Sequence, residues 1–520
     1  MAKNSKSPLI KIESRLRTLL PANLYAAAWV DPSPARLTQV FEHLRSLQWI
    51  LHDYVPRHVL EAMPNPGEIT HEWQEGTLMF TDLAGFTPLT EASARHGRAG
   101  AEILMEILNG YFAEMIEIIS KSGGNLLEFT GDAMLVQFPA SERRNDTNQA
   151  VRAGLRMQRA MVHYAQLETA QGTFALGMRI GLHYGRFLTA DIGTPRRMEH
   201  VLLGKAVQLS KKAEGAGQEG KVCLTTAAYE RVQNDFRFEP SNREGHVLVT
   251  DDLSDEELGE YDIPRPSRRL PTALLLDRSV EGLVSTIEDA LNNVEPLASY
   301  IPSPILNLVV ESTAQRVIPP HFPTLTALFV NFIGLAEVAD ELVSAEEDLL
   351  LSAFSRAFAL INAAVESRGG VLKNVTYHLS GSDMLIYFGV PNAHTDDTVR
   401  AAATAMAIRD IILNLETPHV TGRTLKTSCQ IGLAKGPVFA AEVGEPRGRR
   451  EFNILGDSVN IAARLMGRSE DNQIMITEAV YHEIQGHFQC SSLGMVALKG
   501  KSAATPVYTL DGDLPTESEP

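Results

Sequence analysis

At 520 residues, 44% of them hydrophobic, the chain is long enough for two to four separately cored domains. A formal net charge of −17 argues against a general nucleic-acid binder, which carries a basic surface. Its three cysteines, Cys223, Cys429 and Cys490, stand far apart, in no metal or disulfide spacing, and suit a reducing compartment. No run of about 18 apolar residues is apparent. Lys3, Lys6, Lys11, Glu13, Arg15 and Arg17 interrupt any signal-like N-terminal core, so a cytoplasmic location without a transmembrane segment is expected.

Residues 1–71 read as a helical segment broken by Pro21 and Pro34, with a short helix opening at Pro56. Gly76 to Thr87 then reads as a buried strand ending in Asp82, a turn at Gly85, and a helix opening near Thr87-Pro88. A carboxylate at a strand's C-terminal end can hold a hard cation, and the free N–H groups of the turn and first helical turn can hold phosphate. A long helical pattern over 91–122 meets Gly123-Gly124, and a hairpin follows with Asp132 at its tip. Helical sequence covers about 145–170, Met178 to Gly185 is strand-like, and 199–216 reads as helix. Acidic Asp251 to Glu257 and the Pro-rich stretch 264–271 mark an exposed connection. Alone, either Asp82 or Asp132 would be a solvated turn residue. As a pair flanked by apolar strands they match what a two-metal nucleotide site needs.

The pattern then recurs. Tyr300 to Leu306 echoes Tyr54 to Leu60 at an offset of 246, and Asn331 stands 249 residues beyond Asp82. Gly369-Gly370 repeats Gly123-Gly124, Gly381-Ser382 repeats Gly131-Asp132, and Ile431-Gly432-Leu433 repeats Ile180-Gly181-Leu182. Near-constant offsets mean one domain occurring twice. The order strand–helix–hairpin–helix–strand predicts an α+β chain of two tandem ferredoxin-like domains. The expected boundaries are 72–250 and 320–512, joined by a linker with helices over 251–319 and ending in a tail at 513–520. The repeats differ in a complementary way. The first keeps Asp82 and Asp132, where the second has Asn331 and Ser382. The second has Asn453 and Asn460, where the first has Val201 and Gln208. One site shared across an internal pseudo-two-fold explains this division, and makes the expected assembly a monomer containing a pseudo-dimer.

At Phe80-Thr81-Asp82-Leu83-Ala84-Gly85-Phe86-Thr87, at Phe129-Thr130-Gly131-Asp132, and at Asn460 with Arg464, the sequence resembles the class III adenylyl/guanylyl cyclases. It is most similar to the soluble, bicarbonate-responsive tandem-domain adenylyl cyclases. The resemblance covers about 72–245 and 320–512 and implies conversion of ATP to 3′,5′-cyclic AMP and pyrophosphate. It further implies two Mg²⁺ ions, with Mn²⁺ as a substitute, on Asp82, Asp132 and the Leu83 carbonyl. Phe86, Thr87, Arg179 and Lys499 would meet the triphosphate, Asn460 the ribose, and Arg464 the charge growing on the α-phosphate. Asn460 and Arg464 are four apart, hence on one helix face. Lys373, with His378 as the alternative, and Asn453 would read the base, with ATP favoured over GTP. The sister cleft, with Asn331, Ser382, Gln430, Glu128, Val201, Gln208 and Lys212, would be a regulatory pocket for a small molecule or anion. Bicarbonate is the ligand that the nearest relatives suggest there. Glu128 stands where that pattern has a Lys, and Lys211 where it has an Arg; an acid at that place disfavours an anion. His183 reads as a structural strand residue.

Three other readings stay open. A guanylyl cyclase would share the chemistry with another base pocket. A decayed nucleotide-binding module would not need Asp82, Asp132, Asn460 and Arg464 together. A palm-type polymerase or diguanylate synthase shares the two-carboxylate sheet but would not draw Asn460 and Arg464 from a second repeat.

Overall fold

The computed structural model describes residues 7–142, 144–170, 172–259, 261, 277–377, 380–445, 448–497 and 504–514. The central strand of the first repeat is Thr70–Ala84, buried on both faces from Gly76 to Thr81. It pairs antiparallel with Ala133–Pro139 on one side and Gly177–Thr194 on the other. Asn125–Thr130 completes one edge, and Val222–Thr225, His246–Thr250 and Arg237–Pro240 extend the other. The helix Gly97–Lys121 covers one sheet face, burying Leu104, Leu108, Phe112, Met115 and Ile119 at helical spacing. The helix Asp146–Ala160 lies beside it, its N-terminus capped by the Asn145 side chain accepting from the Thr147 and Asn148 N–H groups.

The second repeat has the same strand order: Val371–Tyr377, Ser382–Phe388, Thr324–Ile333, Ser428–Pro437, Ile474–Thr477, Thr505–Asp513 and Phe488–Val496. Register repeats as well. Asp82 faces Arg179 across the strand pair, and Asn331 faces Gln430 in the equivalent pair. The ferredoxin-like core occurs twice.

One expected element is corrected. Residues 199–203 are not helical; they belong to the strand Arg197–Leu203, antiparallel to the end of Gly177–Thr194, and the helix Lys205–Ala216 starts only after Gly204. Val201, Leu202 and Leu203 are buried there, so burial on a sheet overrides the helical pattern. The second repeat has its counterpart in the hairpin Phe439–Gly444 and Arg450–Leu455.

These hairpins are exchanged arms. Leu188, Ala190, Ile192, Val201 and Leu203 of the first repeat share a core with Leu350, Phe354 and Phe358 of the second. In return Phe439, Ala441, Val443 and Leu455 share a core with Leu108, Phe112 and Phe129 of the first. A third core joins the helix Pro34–Tyr54 to Val280–Ser299, each of which precedes its own repeat. Tyr54 donates to Glu442 on the second repeat's arm at 2.5 Å, and Tyr300 donates to Asp191 on the first repeat's arm at 2.9 Å. The helix stretch Ala345–Glu366 is long and apolar enough by composition to cross a membrane, a run the sequence reading passed over. Here Leu350, Leu351, Phe354, Phe358, Ile361 and Val365 of that helix are buried in the second repeat's core.

Phe439→Ala is expected to destabilise the chain by about 3–5 kcal/mol, because Phe439 is fully buried in the other repeat's core. Thermal denaturation checks this. An unchanged melting temperature would mean that the arm does not hold the repeats together.

Candidate active site

Asp82 stands two residues before the end of its strand, and the left-handed Gly85 (φ 84°) turns the chain into the helix Phe86–Ala94. Phe86 and Thr87 stand at that helix's N-terminus, where backbone N–H groups have no intrahelical partner. Asp132 follows Gly131 (φ 71°) at the tip of the Asn125–Thr130 and Ala133–Pro139 hairpin, on the strand next to that of Asp82. Burial, and then the charge of Asp82, push the Asp132 carboxyl up to about 7. Two like charges held this close favour a bound cation between them, and an all-oxygen donor set suits Mg²⁺ or Mn²⁺. The residues present therefore fit a divalent ion. Among the described residues no cluster of three or more His, Cys, Asp or Glu could hold a metal by itself, so the two acids and the Leu83 carbonyl would need substrate oxygens or water to complete the shell.

Arg179 points at Asp82 and also pairs with Glu214 at 3.0 Å; Lys211 closes the chain on Glu214 at 3.1 Å. Glu214 is buried and was missed in the sequence, since only a Lys-x-x-Glu spacing on a helix marks it. At the matching register of the second repeat, Asn331 Nδ2 donates to Gln430 Oε1 at 3.2 Å, and Gln430 donates to the Ser469 carbonyl. A charged pair in one cleft is thus a neutral amide pair in the other.

The helix Asp457–Met466, which carries Asn460 and Arg464, packs against its own sheet because Gly432 has no side chain. A Cβ there would lie 2.2 Å from the Ala462 carbonyl oxygen. This helix follows directly on the arm strand Arg450–Leu455, which reaches the first repeat's hairpin tip. Asn453 Nδ2 donates to the Gly131 carbonyl at 2.8 Å, and the Leu455 side chain lies beside Gly131. The exchanged arm therefore carries the start of the Asn460–Arg464 helix to the turn that bears Asp132. Asn460 is exposed, while Arg464 is partly buried and its Nη1 is buried without a hydrogen-bond partner.

Lys373 and Asn453, the expected base contacts, each already hold a partner within the chain. Lys373 is buried and pairs with Glu451 at 3.2 Å, and Asn453 has both its amide nitrogen and its oxygen engaged. By hairpin register Asn374 is the counterpart of Glu128, with Lys373 at the bulge one residue earlier. His378 and Lys499 lie outside the described residues. Lys373 lines a cavity near the pseudo-two-fold, with Glu128, Glu199, Arg449 and Glu451. His183 is buried against Thr225, and burial lowers its pKa to about 4, in line with a structural role.

The sister cleft is furnished differently. In place of the helix Phe86–Ala94 it has a 3₁₀ turn, Ala336–Glu341. Glu337 accepts from the Gly334 N–H at 3.0 Å, and Asp340 accepts from the Lys205 N–H at 2.6 Å, at the start of the helix Lys205–Ala216. Tyr377 bonds with Gln208. The chain's own carboxylates sit on donors that an anion would use, so the expected anion regulator has no ready place on these groups.

The fold, repeated twice and joined by exchanged arms with acids in one cleft only, defines a class of protein: nucleotide cyclases with paired catalytic domains. The chain belongs to the family described as the adenylate and guanylate cyclase catalytic domain, whose model matches residues 70–254 and 324–512. It is 23% identical over 436 residues to adenylate cyclase type 10 of Oryctolagus cuniculus, and 25% identical over 424 residues to that of Homo sapiens. Both matches cover 79% of this chain and 25% of the relative, so the chain spans about a quarter of the length of these curated relatives. It is also 26% identical over 215 residues to an adenylate cyclase of Mycobacterium tuberculosis (strain ATCC 25618 / H37Rv), covering 41% of this chain and 45% of that protein. A solved class III adenylyl cyclase-like ATP-binding protein from Pseudomonas aeruginosa shares the fold over 90% of this chain and 95% of its own, with a TM-score of 0.54 at 15% identity.

Burial beside Glu451 and Glu199 pushes the Glu128 carboxyl up to about 8, a rise that Lys373 only partly opposes. Between about pH 4.5 and 8 the folded chain then keeps a proton that the unfolded chain releases, so its stability falls as pH rises across that window. Glu128→Gln removes this term. Its melting temperature relative to the parent protein is expected to rise between pH 5 and 8.5, by the equivalent of about 2 kcal/mol after allowance for partial exposure. A difference that does not vary with pH would rule the shift out.

Proposed function

We propose that this chain is an adenylyl cyclase, converting ATP to 3′,5′-cyclic AMP and pyrophosphate in one composite site at the interface of its two repeats. The observation that carries this reading is the Asp82–Asp132 pair on neighbouring strands, reached by the arm that leads into the Asn460–Arg464 helix. That the relatives it matches are adenylate cyclases supports ATP as the substrate.

Asp82, Asp132 and the Leu83 carbonyl would hold two Mg²⁺ or Mn²⁺ ions, whose chemistry lowers the pKa of the ribose 3′-hydroxyl and neutralises triphosphate charge. The ribose 3′-hydroxyl gives up its proton to solvent water, its oxygen bonds to the α-phosphorus as the α–β anhydride bond breaks, and pyrophosphate leaves. The Phe86 and Thr87 N–H groups receive phosphate oxygens at a helix N-terminus. Arg179, paired with Asp82 and Glu214, is the cation that would serve a phosphate group were Asp82 engaged by a metal ion. Lys499 adds a further triphosphate contact. Asn460 orients the ribose. Arg464, one turn along the same helix, meets the charge that grows on the α-phosphate oxygens. The sister cleft lacks both acids, so the chain works as one site per monomer, in the cytoplasm.

Incubation of the purified protein with ATP or GTP and Mg²⁺ or Mn²⁺, with the product identified by mass spectrometry, is the direct test. Cyclic AMP from ATP is expected. Asp82→Asn and Asp132→Asn are each expected to lower turnover by about 10²-fold or more with the fold intact. Cyclic GMP as the main product, or full activity in folded Asp82→Asn protein, would overturn the reading.

Arg464→Ala is expected to lower kcat by roughly 10²-fold, the effect of losing a donor worth about 3 kcal/mol in the transition state, while the KM for ATP changes little. Steady-state kinetics separates the two. A raised KM at constant kcat would make Arg464 a ground-state contact.

A further inference from the structure

Asn453 stands at the place where the sequence leads one to expect a base-reading side chain. The geometry points to a different task. We propose that Asn453 is a positioning residue that clamps the Asp132 turn of the first repeat onto the arm of the second, so that the two metal carboxylates reach working distance only when the arm is seated. This inference rests on the cyclase reading and deepens it.

Three observations carry it. Asn453 is 1% exposed, its Nδ2 donates to the Gly131 carbonyl at 2.8 Å across the repeats, and its Oδ1 accepts from the Ile454 N–H at 3.0 Å. Turning this amide to face a base would break the bond to Gly131 in a buried setting, a cost of about 1–3 kcal/mol for a polar group left unpaired. Second, the residue it holds directly precedes Asp132. Leu455, two positions along the same strand and so on the same face, packs beside the same glycine. The turn is therefore gripped at two points from the other repeat. Third, Gly131 and Asp132 form the two-residue turn between Asn125–Thr130 and Ala133–Pro139, so a bond to the Gly131 carbonyl acts on the very peptide that leads into Asp132. The chain enters that peptide through a left-handed Gly131, and the hydrogen bond from Asn453 to its carbonyl fixes the peptide's orientation.

The asymmetry between the repeats agrees. The counterpart of Asn453 is Val201, which cannot donate. The turn it would face carries Ser382 in place of a metal acid, on a longer hairpin. The amide is present where there is an acid to position, and absent where there is none.

The test compares Asn453→Ala and Asn453→Asp in the full chain, with far-UV circular dichroism as the folding control. Mn²⁺ binding is followed by electron paramagnetic resonance without nucleotide, and kcat/KM is measured for ATP and for GTP. The clamp requires both variants to bind Mn²⁺ roughly 10-fold or more weakly, since an Asp cannot donate to the Gly131 carbonyl and losing a supporting hydrogen bond at a metal site costs 10–100-fold. It also requires the ATP-to-GTP ratio of kcat/KM to stay at the parent value. Unchanged Mn²⁺ affinity in either folded variant, or a shifted ATP-to-GTP ratio with affinity intact, would overturn it. If Asn453→Ala fails to fold, the near-isosteric Asn453→Asp decides alone. If the parent protein cyclises neither nucleotide, the proposed function fails, while the Mn²⁺ measurement still decides the clamp.

Discussion

The exchange of arms between the repeats is the constraint from which the rest follows. Each catalytic half completes its apolar core with a hairpin from the other, Phe439 to Leu455 in one direction and Leu188 to Leu203 in the other. A half without its partner would leave fully buried side chains such as Phe439, Ala441, Val443, Leu188 and Ile192 in water. At about 25 cal/mol per Å² of apolar surface, that exposure outweighs any single polar contact in the interface. The arms therefore set where the repeats stand relative to one another. The polar groups at their tips, Asn453 on Gly131 above all, read out that placement to the acids.

On this scaffold the two clefts have parted by substitution at fixed register. The pair Asp82–Arg179 and the pair Asn331–Gln430 occupy the same rungs of equivalent strands, and only the first has charge. In the neutral pair Asn331 donates to Gln430 and Gln430 to the Ser469 carbonyl, and neither side chain brings a charge to a cation. Asp340 and Glu337 then occupy backbone donors of the same cleft. The helix Phe86–Ala94 of the other cleft starts with free N–H groups, where an anion is favoured by the helix dipole. The second cleft is thus not a void; the chain has set its own carboxylates on two of its backbone donors.

Much of this was legible in the sequence because it is written in local pattern. The apolar strands before Asp82 and Asp132, the glycine pairs and the constant offsets gave the repeat, the ferredoxin-like order and the separation of acids from Asn460 and Arg464. What the sequence hid was long-range. Val201-Leu202-Leu203 reads as part of a helix and is strand only because the other repeat's core covers it. Glu214 looks like a surface residue of a helix until Arg179 and Lys211 close on it. Lys373 gives no sign in the sequence of its ion pair with Glu451, far along the chain. Partners 78 residues away (Lys373 to Glu451) or 322 away (Asn453 to Gly131) leave no periodicity to read.

Fusing the repeats into one chain has its own physical logic. Two separate domains with this division of residues would have to find each other at cellular concentration, and like-with-like pairs would compete. A symmetric pair of first repeats has acids without Arg464; a pair of second repeats has Arg464 opposite Asn331 and Ser382. A linker converts the productive pairing into an intramolecular one, with an effective concentration in the millimolar range for short connections. The helices ahead of each repeat reinforce the choice: Pro34–Tyr54 packs on Val280–Ser299, and each sends a tyrosine, Tyr54 or Tyr300, to a carboxylate on the opposite arm. Buried polar pairs of this kind add less to stability than an apolar contact would, but they discriminate between registers, because a mispaired arm would keep Glu442 on Arg450 and Asp191 on His200 yet lose the tyrosine donor of each. Apolar burial thus drives the two halves together, and the crossed tyrosines decide that they meet in the one arrangement that brings Asp132 under Asn453.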